Sequence, residues 1–330
     1  MLPIQTLTRF IYENERDFPD ATGELSSLLA SIALGVKVIA RLVATAGVRG
    51  LTGYTGHVNV QGEQTYKLDE EADAVLVDIL GSSGCFGSLV SEERDAAQET
   101  SSVSDSVKYV VAFDPLDGSS NIGTNIPVGT IFTVFRRRDM KAAPSAADFM
   151  QPGRDIVAAG YSVYGAKTSF VYSAGYGVHG FTLDPSLGEF ILTDRDMKVP
   201  QSGDTFSINE GYWSQWEKSF QNYLHSLKTG ENDLKKVYSG RYVGSLVADF
   251  DRTLRKGGIF LHPANTKRPR GKLRLLYECI PLAFIMKNAG GIATDGKIAV
   301  TDIEPQAIHE RCPLIVGSTE DVEMFLKAVG

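Results

Sequence analysis

The sequence predicts a layered αβ protein of two domains, and three patterns carry that prediction. Residues 22–46 set Leu25, Leu28, Leu29, Ile32, Val36, Ile39 and Val43 at helical spacing. The middle of the chain alternates apolar and polar residues through GTIFTVF, DIVAAGYSVYG, TSFVYSAG, FTLD and EFILTD, as strands of an antiparallel or mixed sheet do. A polar Pro/Gly stretch over residues 197–204 then marks a boundary, after which strand and helix patterns mix. A length of 330 residues agrees with roughly two domains at about 150 residues each.

Each element has its own local signal. Thr22, Gly23 and Glu24 open the first long helix, and Gly47 is expected to end it. GLTGYTGHVNVQG, residues 50–62, is Gly-rich, polar and uncapped, and reads as a mobile loop. A second helix is expected over residues 68–80, then strands over 88–91 and 109–113, the latter entering the turn DPLDGSSN. In the last third, GGIFLHP and PLIVGS read as strands, and residues 275–289 and 321–328 as helices. Gly175-Tyr-Gly177-Val-His-Gly180 matches the GxGxxG pattern, but more strand follows it where a dinucleotide site needs a helix, so a hairpin is expected.

Composition narrows the function. Apolar residues make up 43% and charged residues 22%, so disorder is excluded. A net charge of −7 argues against a general nucleic-acid or anionic-membrane binder. No apolar run reaches the ~18 residues needed to span a bilayer. Cys85, Cys279 and Cys312 form neither a metal-binding pair nor a disulfide framework. With Glu13, Glu15, Asp17 and Asp20 near the start, no targeting peptide fits. A cytoplasmic protein is expected, with a peroxisome-like organelle as the alternative if a C-terminal signal follows the printed KAVG.

The average charge conceals a segregation. Residues 61–120 carry 13 acids and 3 bases, whereas residues 241–274 carry 9 bases and 2 acids. Within the first group, Asp114-Pro115-Leu116-Asp117-Gly118-Ser119-Ser120-Asn121 is the strongest chemical signal. A strand delivers Asp114, and the stiff turn allows Asp117 to reach the same spot. Gly118 permits close backbone approach, and Ser119, Ser120 and Asn121 can open a helix whose N–H groups take a phosphate. Hard oxygen ligands beside a phosphate cradle imply Mg²⁺, with Mn²⁺ possible, and not zinc. A bare DxxD is most simply a capped turn; the full string points to a site.

Glu92 and Glu93 close the strand at Leu89-Val90 and can join that site, although such a pair alone is an ordinary solvated step. Asp69 and Glu63 are further candidates. Glu278, in LRLLYECI, is either an exposed helical acid or a buried one that needs a partner. Lys267, Arg268, Arg270, Lys272 and Arg274 form a basic run that is either a solvated face, a nucleic-acid patch or a clamp for a small anion. Asn209, Tyr212, Arg241 and Tyr242 are weaker phosphate partners.

In order along the chain, DPLDGSSNI, the Ser-Glu-Glu step, GRYVGS, GGIFLHPAN and GKLRLLYE resemble class I fructose-1,6-bisphosphatase, from about Thr8 to Ser318. The Asp-Pro-Leu-Asp-Gly segment alone marks only the wider Mg²⁺-dependent, Li⁺-sensitive sugar and inositol phosphatases; GRYVGS and GKLRLLYE narrow the match. The resemblance implies a layered αβαβα sandwich that hydrolyses fructose 1,6-bisphosphate to fructose 6-phosphate and phosphate. It implies an AMP-binding domain over residues 1–197 with most metal ligands, and a sugar-bisphosphate-binding domain over 198–330. Carried over by position, Glu92, Asp114, Asp117, Glu278 and the Leu116 carbonyl should hold Mg²⁺, with Glu63 adding a ligand. Asp69 and Glu93 match the acids that polarise water. Asp117, Gly118, Ser119 and Ser120 should take the 1-phosphate, with Arg274 against it. Asn209, Tyr212, Tyr242, His262 and Lys272 match the 6-phosphate pocket. Arg241 matches a residue given by a neighbouring subunit, which implies a homo-oligomer, usually a tetramer. The loop over residues 50–62 matches a segment that closes over the metals.

Thr22, Gly23, Glu24, Leu25 and Ser26, with Lys108, Tyr109 and Arg136, match the family's inhibitory AMP site; without the resemblance they read as a helix cap plus ordinary strand residues. Two departures stand out. His262 occupies a position where the family commonly has Tyr, which would make affinity more pH-dependent near neutrality. Ser26 replaces a Thr and keeps the hydroxyl. The cysteine-bearing insertion of plastid relatives is absent, so thioredoxin control is not expected. A sedoheptulose or inositol phosphatase is the nearest alternative, and a non-catalytic phosphometabolite sensor or a nucleic-acid module using residues 267–274 the more distant ones.

Overall fold

The computed structural model describes residues 4–15, 23–58, 64–99 and 107–329. The chain begins with helices α1 (Leu7–Glu15) and α2 (Glu24–Arg49), the short hairpin β1 (Tyr54–Val58) and β2 (Gln64–Tyr66), and helix α3 (Lys67–Ser83). Strands β3 (Ser88–Ser91), β4 (Gln98–Glu99), β5 (Tyr109–Asp117), β6 (Val128–Arg136), β7 (Ile156–Tyr164), β8 (Thr168–Ser173), β9 (His179–Asp184) and β10 (Glu189–Asp194) follow. They form one eight-stranded sheet in the order β10-β9-β8-β7-β6-β5-β3-β4. Only β3 and β5 pair in parallel; the other neighbours are antiparallel.

The rest comprises β11 (Thr205–Ser207), α4 (Lys218–Thr229), β12 (Ser239–Gly240), α5 (Leu246–Lys256), β13 (Ile259–His262), β14 (Leu273–Arg274), a π-helical turn Leu275–Cys279 running into α6 (Ile280–Asn288), β15 (Ile292–Thr294), β16 (Arg311–Cys312), β17 (Leu314–Gly317) and α7 (Thr319–Val329). A five-stranded sheet has the order β12-β11-β13-β17-β15.

Strand alternation builds the layers. On β5, Tyr109, Val111 and Phe113 face α2 and α3, packing with Leu28, Ile32, Val36 and Leu76. Val110 and Ala112 face the other way, against Val247 and Phe250 of α5 and Ile280, Leu282 and Ala283 of α6. The same central layer receives Phe260, Leu314 and Val316 from the second sheet. The opposite face of that sheet, through Ile259, Leu261 and Ile315, packs on Leu224 and Leu227 of α4 and Val322 and Phe325 of α7. The result is helix, sheet, helix, sheet, helix, the αβαβα sandwich. Residues 197–204 connect the sheets, with Met197 N–H bonded to Val178 O at 2.7 Å and Val199 N–H to Ala289 O at 3.0 Å.

Four expectations are corrected. The long helix passes through Gly47 and ends at Gly50, whose φ of 69° lets its N–H cap Ala46 and Gly47 carbonyls. Residues 50–62 are not wholly loop: β1 lies within them and pairs with β2, Tyr54 opposite Tyr66. Residues 275–279 form a wider π turn before α-helix resumes. Finally, α2 is long and apolar enough to cross a membrane by length and composition, because Ala, Gly and Ser dilute its few charges without interrupting it; half of that stretch is buried inside the protein. The GxGxxG stretch lies, as expected, in the β8–β9 hairpin.

Candidate active site

Residues three apart on a regular strand point to opposite faces. At Asp114 and Asp117 the pairing of β5 with β6 slips, the irregularity falling at Pro115, which has no N–H to offer. Thr130 Oγ1 fixes the slip by donating to Pro115 O at 2.8 Å. Both carboxylates thereby reach one spot, where Glu278 joins them, and one oxygen from each of the three lies within 4.8 Å of the others.

All three acids are buried. Each is oriented by a backbone donor: Leu116 N–H to Asp114 Oδ1 at 2.9 Å, Val247 N–H at the start of α5 to Asp117 Oδ2 at 2.9 Å, and Arg274 N–H to Glu278 Oε2. The π turn is what carries Glu278 inward, so the buried reading of this acid holds and the exposed one does not. Burial first, and then the neighbouring charge of Glu92, pushes Asp114 and Glu278 well above the usual carboxylate range. Burial likewise pushes Asp117 up to about 7, against the opposing Val247 N–H bond. Clustered anions destabilised in this way fit a hard divalent cation.

The other predicted acids converge on the same place. Asp69 lies in the first turn of α3, its Oδ2 accepting Tyr66 N–H at 3.0 Å, and burial raises it to about 7. Glu92 and Glu93 follow β3, with Arg274 Nη2 at 3.9 Å from Glu92 Oε1. Asp69, Glu92, Glu93, Asp114, Leu116, Asp117, Gly118, Ser119, Ser120, Tyr242, His262, Lys272, Arg274 and Glu278 all line a cavity of about 480 Å³. Glu63 lies outside the described residues. Gly118 takes φ 78° and opens the six-residue 3₁₀ helix Ser119–Thr124, so the expected helix start is present but short.

His262 and Lys272 also line an adjoining smaller crevice with Asn209, Tyr212 and Arg268. The predicted distal set is thus brought together, with Arg268 as an addition. Arg241 is not part of either lining; it is exposed, and its backbone is pinned by N–H to Phe206 O at 2.8 Å. His262 departs from expectation. Burial, with Lys272 and Arg268 nearby, holds it down at about 4, so it is neutral across the physiological range and does not titrate near neutrality.

Thr22 of the AMP set lies outside the described residues. The others gather at the N-terminus of α2 and the far end of β5: Gly23 begins α2 with φ 76°, Lys108 Nζ is 3.7 Å from Glu24 Oε2, and the Arg136 guanidinium stands 5.8 Å over the Tyr109 ring. Leu25 is half-buried; Ser26 and Tyr109 are buried. Sequence reasoning missed Tyr54, Gln64, Tyr66, Gly244 and Asp249 in the cavity wall. Buried Asp249 shapes the wall by accepting Ser207 Oγ at 2.9 Å, Val243 N–H at 3.0 Å and Gly244 N–H at 2.9 Å. An acid on the apolar face of a helix was its one available signal.

Comparison with known proteins agrees with this geometry. The family profile "Fructose-1-6-bisphosphatase, N-terminal domain" matches residues 5–195, and its C-terminal counterpart matches 199–330. The chain belongs to the fructose-1,6-bisphosphatase family. It is 46% identical over 318 residues to the class 1 fructose-1,6-bisphosphatase of Chlorobium chlorochromatii, covering 96% of this chain and 95% of that one. It is 44% identical over 322 residues to the class 1 enzyme of Maridesulfovibrio salexigens, with the same coverage of 96% and 95%. Among solved structures, Leishmania major fructose-1,6-bisphosphatase in its holo form superposes with a TM-score of 0.92 at 37% identity, over 98% of both chains. The αβαβα layering is therefore that of a sugar phosphatase, and the buried acid cluster falls in a family of phosphatases.

Proposed function

We propose that this chain hydrolyses the 1-phosphate of fructose 1,6-bisphosphate, giving fructose 6-phosphate and inorganic phosphate. The observation that carries this reading is the meeting of a buried carboxylate cluster and a cationic crevice in one cavity. A bisphosphate needs both ends. Glu92, Asp114, Asp117, Glu278 and the Leu116 carbonyl would hold Mg²⁺ or Mn²⁺, with Glu63 as a further ligand. Bound there, the ion would neutralise the acids and polarise the phosphoryl oxygens.

The chain's own groups supply the rest. Gly118, Ser119 and Ser120 cradle the reacting phosphate, and Arg274 balances its charge. Asn209, Tyr212, Tyr242, His262 and Lys272 bind the distal phosphate, and its anchoring aligns the sugar for attack. Asp69 and Glu93 orient water and take its proton. Residues 1–197 would form the AMP-binding domain and residues 198–330 the sugar-bisphosphate-binding domain of a cytoplasmic homotetramer, with Arg241 offered to a neighbouring subunit. Glu24, Lys108, Tyr109 and Arg136, with Thr22 to Ser26 around them, would bind AMP as an inhibitor. Strand β5 joins that set to Asp114 directly, five residues and roughly 17 Å along one rigid element.

Phosphate release from fructose 1,6-bisphosphate with Mg²⁺, with and without AMP, tests the reading. Turnover should require the ion, fall with AMP, and show a higher kcat/KM than with sedoheptulose 1,7-bisphosphate or inositol 1-phosphate. Asp117→Asn should lower kcat by about a thousandfold or more with an unchanged circular dichroism spectrum. Full turnover in that variant, or a preference for either competing substrate, overturns it.

A further inference from the structure

One buried acid beside the cavity touches no part of it. Asp73 sits on α3 one helical turn after Asp69, on the same buried face. Its two carboxylate oxygens are both committed. Ser91 Oγ donates to Oδ1 at 2.6 Å, and Arg94 Nε donates to Oδ2 at 2.7 Å. Neither Asp73, Ser91 nor Arg94 lines the cavity. Yet Ser91 and Arg94 bracket Glu92 and Glu93, which do.

Backbone bonds hold the bracketed turn as well. Glu92 N–H reaches Phe113 O at 3.1 Å where the parallel pairing of β3 with β5 runs out. Beyond that point, Ser91 Oγ accepts Glu93 N–H at 3.3 Å, and Arg94 N–H reaches Ser91 O at 3.3 Å, both within the turn itself. On its far side the turn is fastened to the other domain. Arg94 O accepts from His309 Nε2 at 2.9 Å, and His309 Nδ1 pairs with Tyr277 OH at 2.8 Å, next to Glu278. One neutral tautomer satisfies both contacts, with the proton on Nε2. The turn therefore spans three acid-bearing elements: α3 with Asp69, its own Glu92 and Glu93, and the π turn with Glu278.

We infer that Asp73 is a positioning residue, which through Ser91 and Arg94 sets the turn presenting Glu92 and Glu93 against Asp69 and Asp114. This rests on reading the acids as a divalent-metal site. An uncharged acceptor cannot do the same work. Asp73→Asn removes the charge that pairs with Arg94, and its NH₂ group either faces the Arg94 Nε–H donor or turns to Ser91, whose hydroxyl must then accept where it donated. The turn then loses its tie to α3, and Glu92 is set less firmly toward the cluster.

The test is binding of Mn²⁺ alone, followed by electron paramagnetic resonance of the free ion, in the wild-type chain, Asp73→Asn and Arg94→Met. The two variants approach the clamp from opposite sides, and Arg94 is half-exposed, so at least one keeps its fold. Both should bind Mn²⁺ at least tenfold more weakly, while KM for fructose 1,6-bisphosphate at saturating Mg²⁺ stays within twofold. Asp73→Glu should recover part of the affinity. Equal Mn²⁺ affinity in wild type and variants overturns the inference, including the case where both variants merely melt at a lower temperature in EDTA. A wild-type chain that binds no Mn²⁺ overturns the metal-site reading and the inference with it.

Discussion

At His262 a single substitution separates what a residue type suggests from what its surroundings allow. Histidine in free solution titrates near 6.5, which invites a pH-sensitive phosphate contact. Here burial and two cations hold it at about 4. The proton is disfavoured on desolvation grounds and again by Lys272 and Arg268, so the free protein presents a neutral ring between pH 6 and 8. Because the profile of kcat/KM reports the free enzyme, His262→Tyr should leave its shape unchanged across that range. KM should move by only a few-fold, since a neutral polar group replaces another. A new inflection between pH 6 and 7 in the wild type that the variant lacks would show the ring titrating there.

The elements show what was legible in the sequence and what was not. Helix α2 was read from its apolar stripe and β7 from alternation, whereas β3 and β5 were read as short apolar runs because both of their faces are buried. The DPLDGSSN turn was read from residue types, since Pro, Gly and paired Asp together have few ordinary uses. Helices α4 and α5 went unread. On α5 the buried face includes Asp249 and Thr253 beside Leu246, Val247, Phe250 and Leu254, so the polar partners that build the cavity wall also blur the apolar stripe. Strands β11 and β12 are three and two residues long, too short for any period. The burial of Glu278 depends on a π turn and on Arg274, and neither is visible in a helical wheel. The phosphate turn itself yields a prediction at this scale. Gly118 has φ 78°, and an added Cβ would stand 3.2 Å from Ser245 Oγ. Gly118→Ala should therefore cost about 1–2 kcal/mol of stability from left-handed strain alone. Urea unfolding should read that loss, together with a raised KM as the 3₁₀ turn shifts; a variant as stable as wild type would show that the turn relaxes freely.

Over the whole molecule the two charge concentrations of the sequence, acids in residues 61–120 and bases in residues 241–274, send members to the wall of one cavity. The acids are the costly half. Asp69 and Asp117 are raised to about 7 in the fold, with Asp114 and Glu278 also raised, against about 4 in an unfolded chain. A raised carboxyl favours the protonated folded state, so its contribution to stability is complete below the unfolded value and disappears as pH rises through the folded one. The metal-free protein should accordingly lose stability as pH rises from about 4 through about 7, with the last of the loss between pH 6.5 and 8, as the cluster is forced to ionise in a buried place. A divalent cation reverses the sign by binding only the ionised, folded cluster. At a hundredfold excess over Kd it adds about 2.7 kcal/mol, roughly 4 °C in a chain of this length. Melting curves at pH 6.5 and 8, in EDTA and in Mg²⁺, separate the two effects. The Tm in EDTA should fall with pH, and the increment given by Mg²⁺ should be larger at pH 8, because protons no longer compete for the same oxygens. A flat Tm in EDTA would mean that Arg274 and Lys272 already neutralise the acids without an ion. The cluster would then be an internal salt-bridge network instead of a metal site.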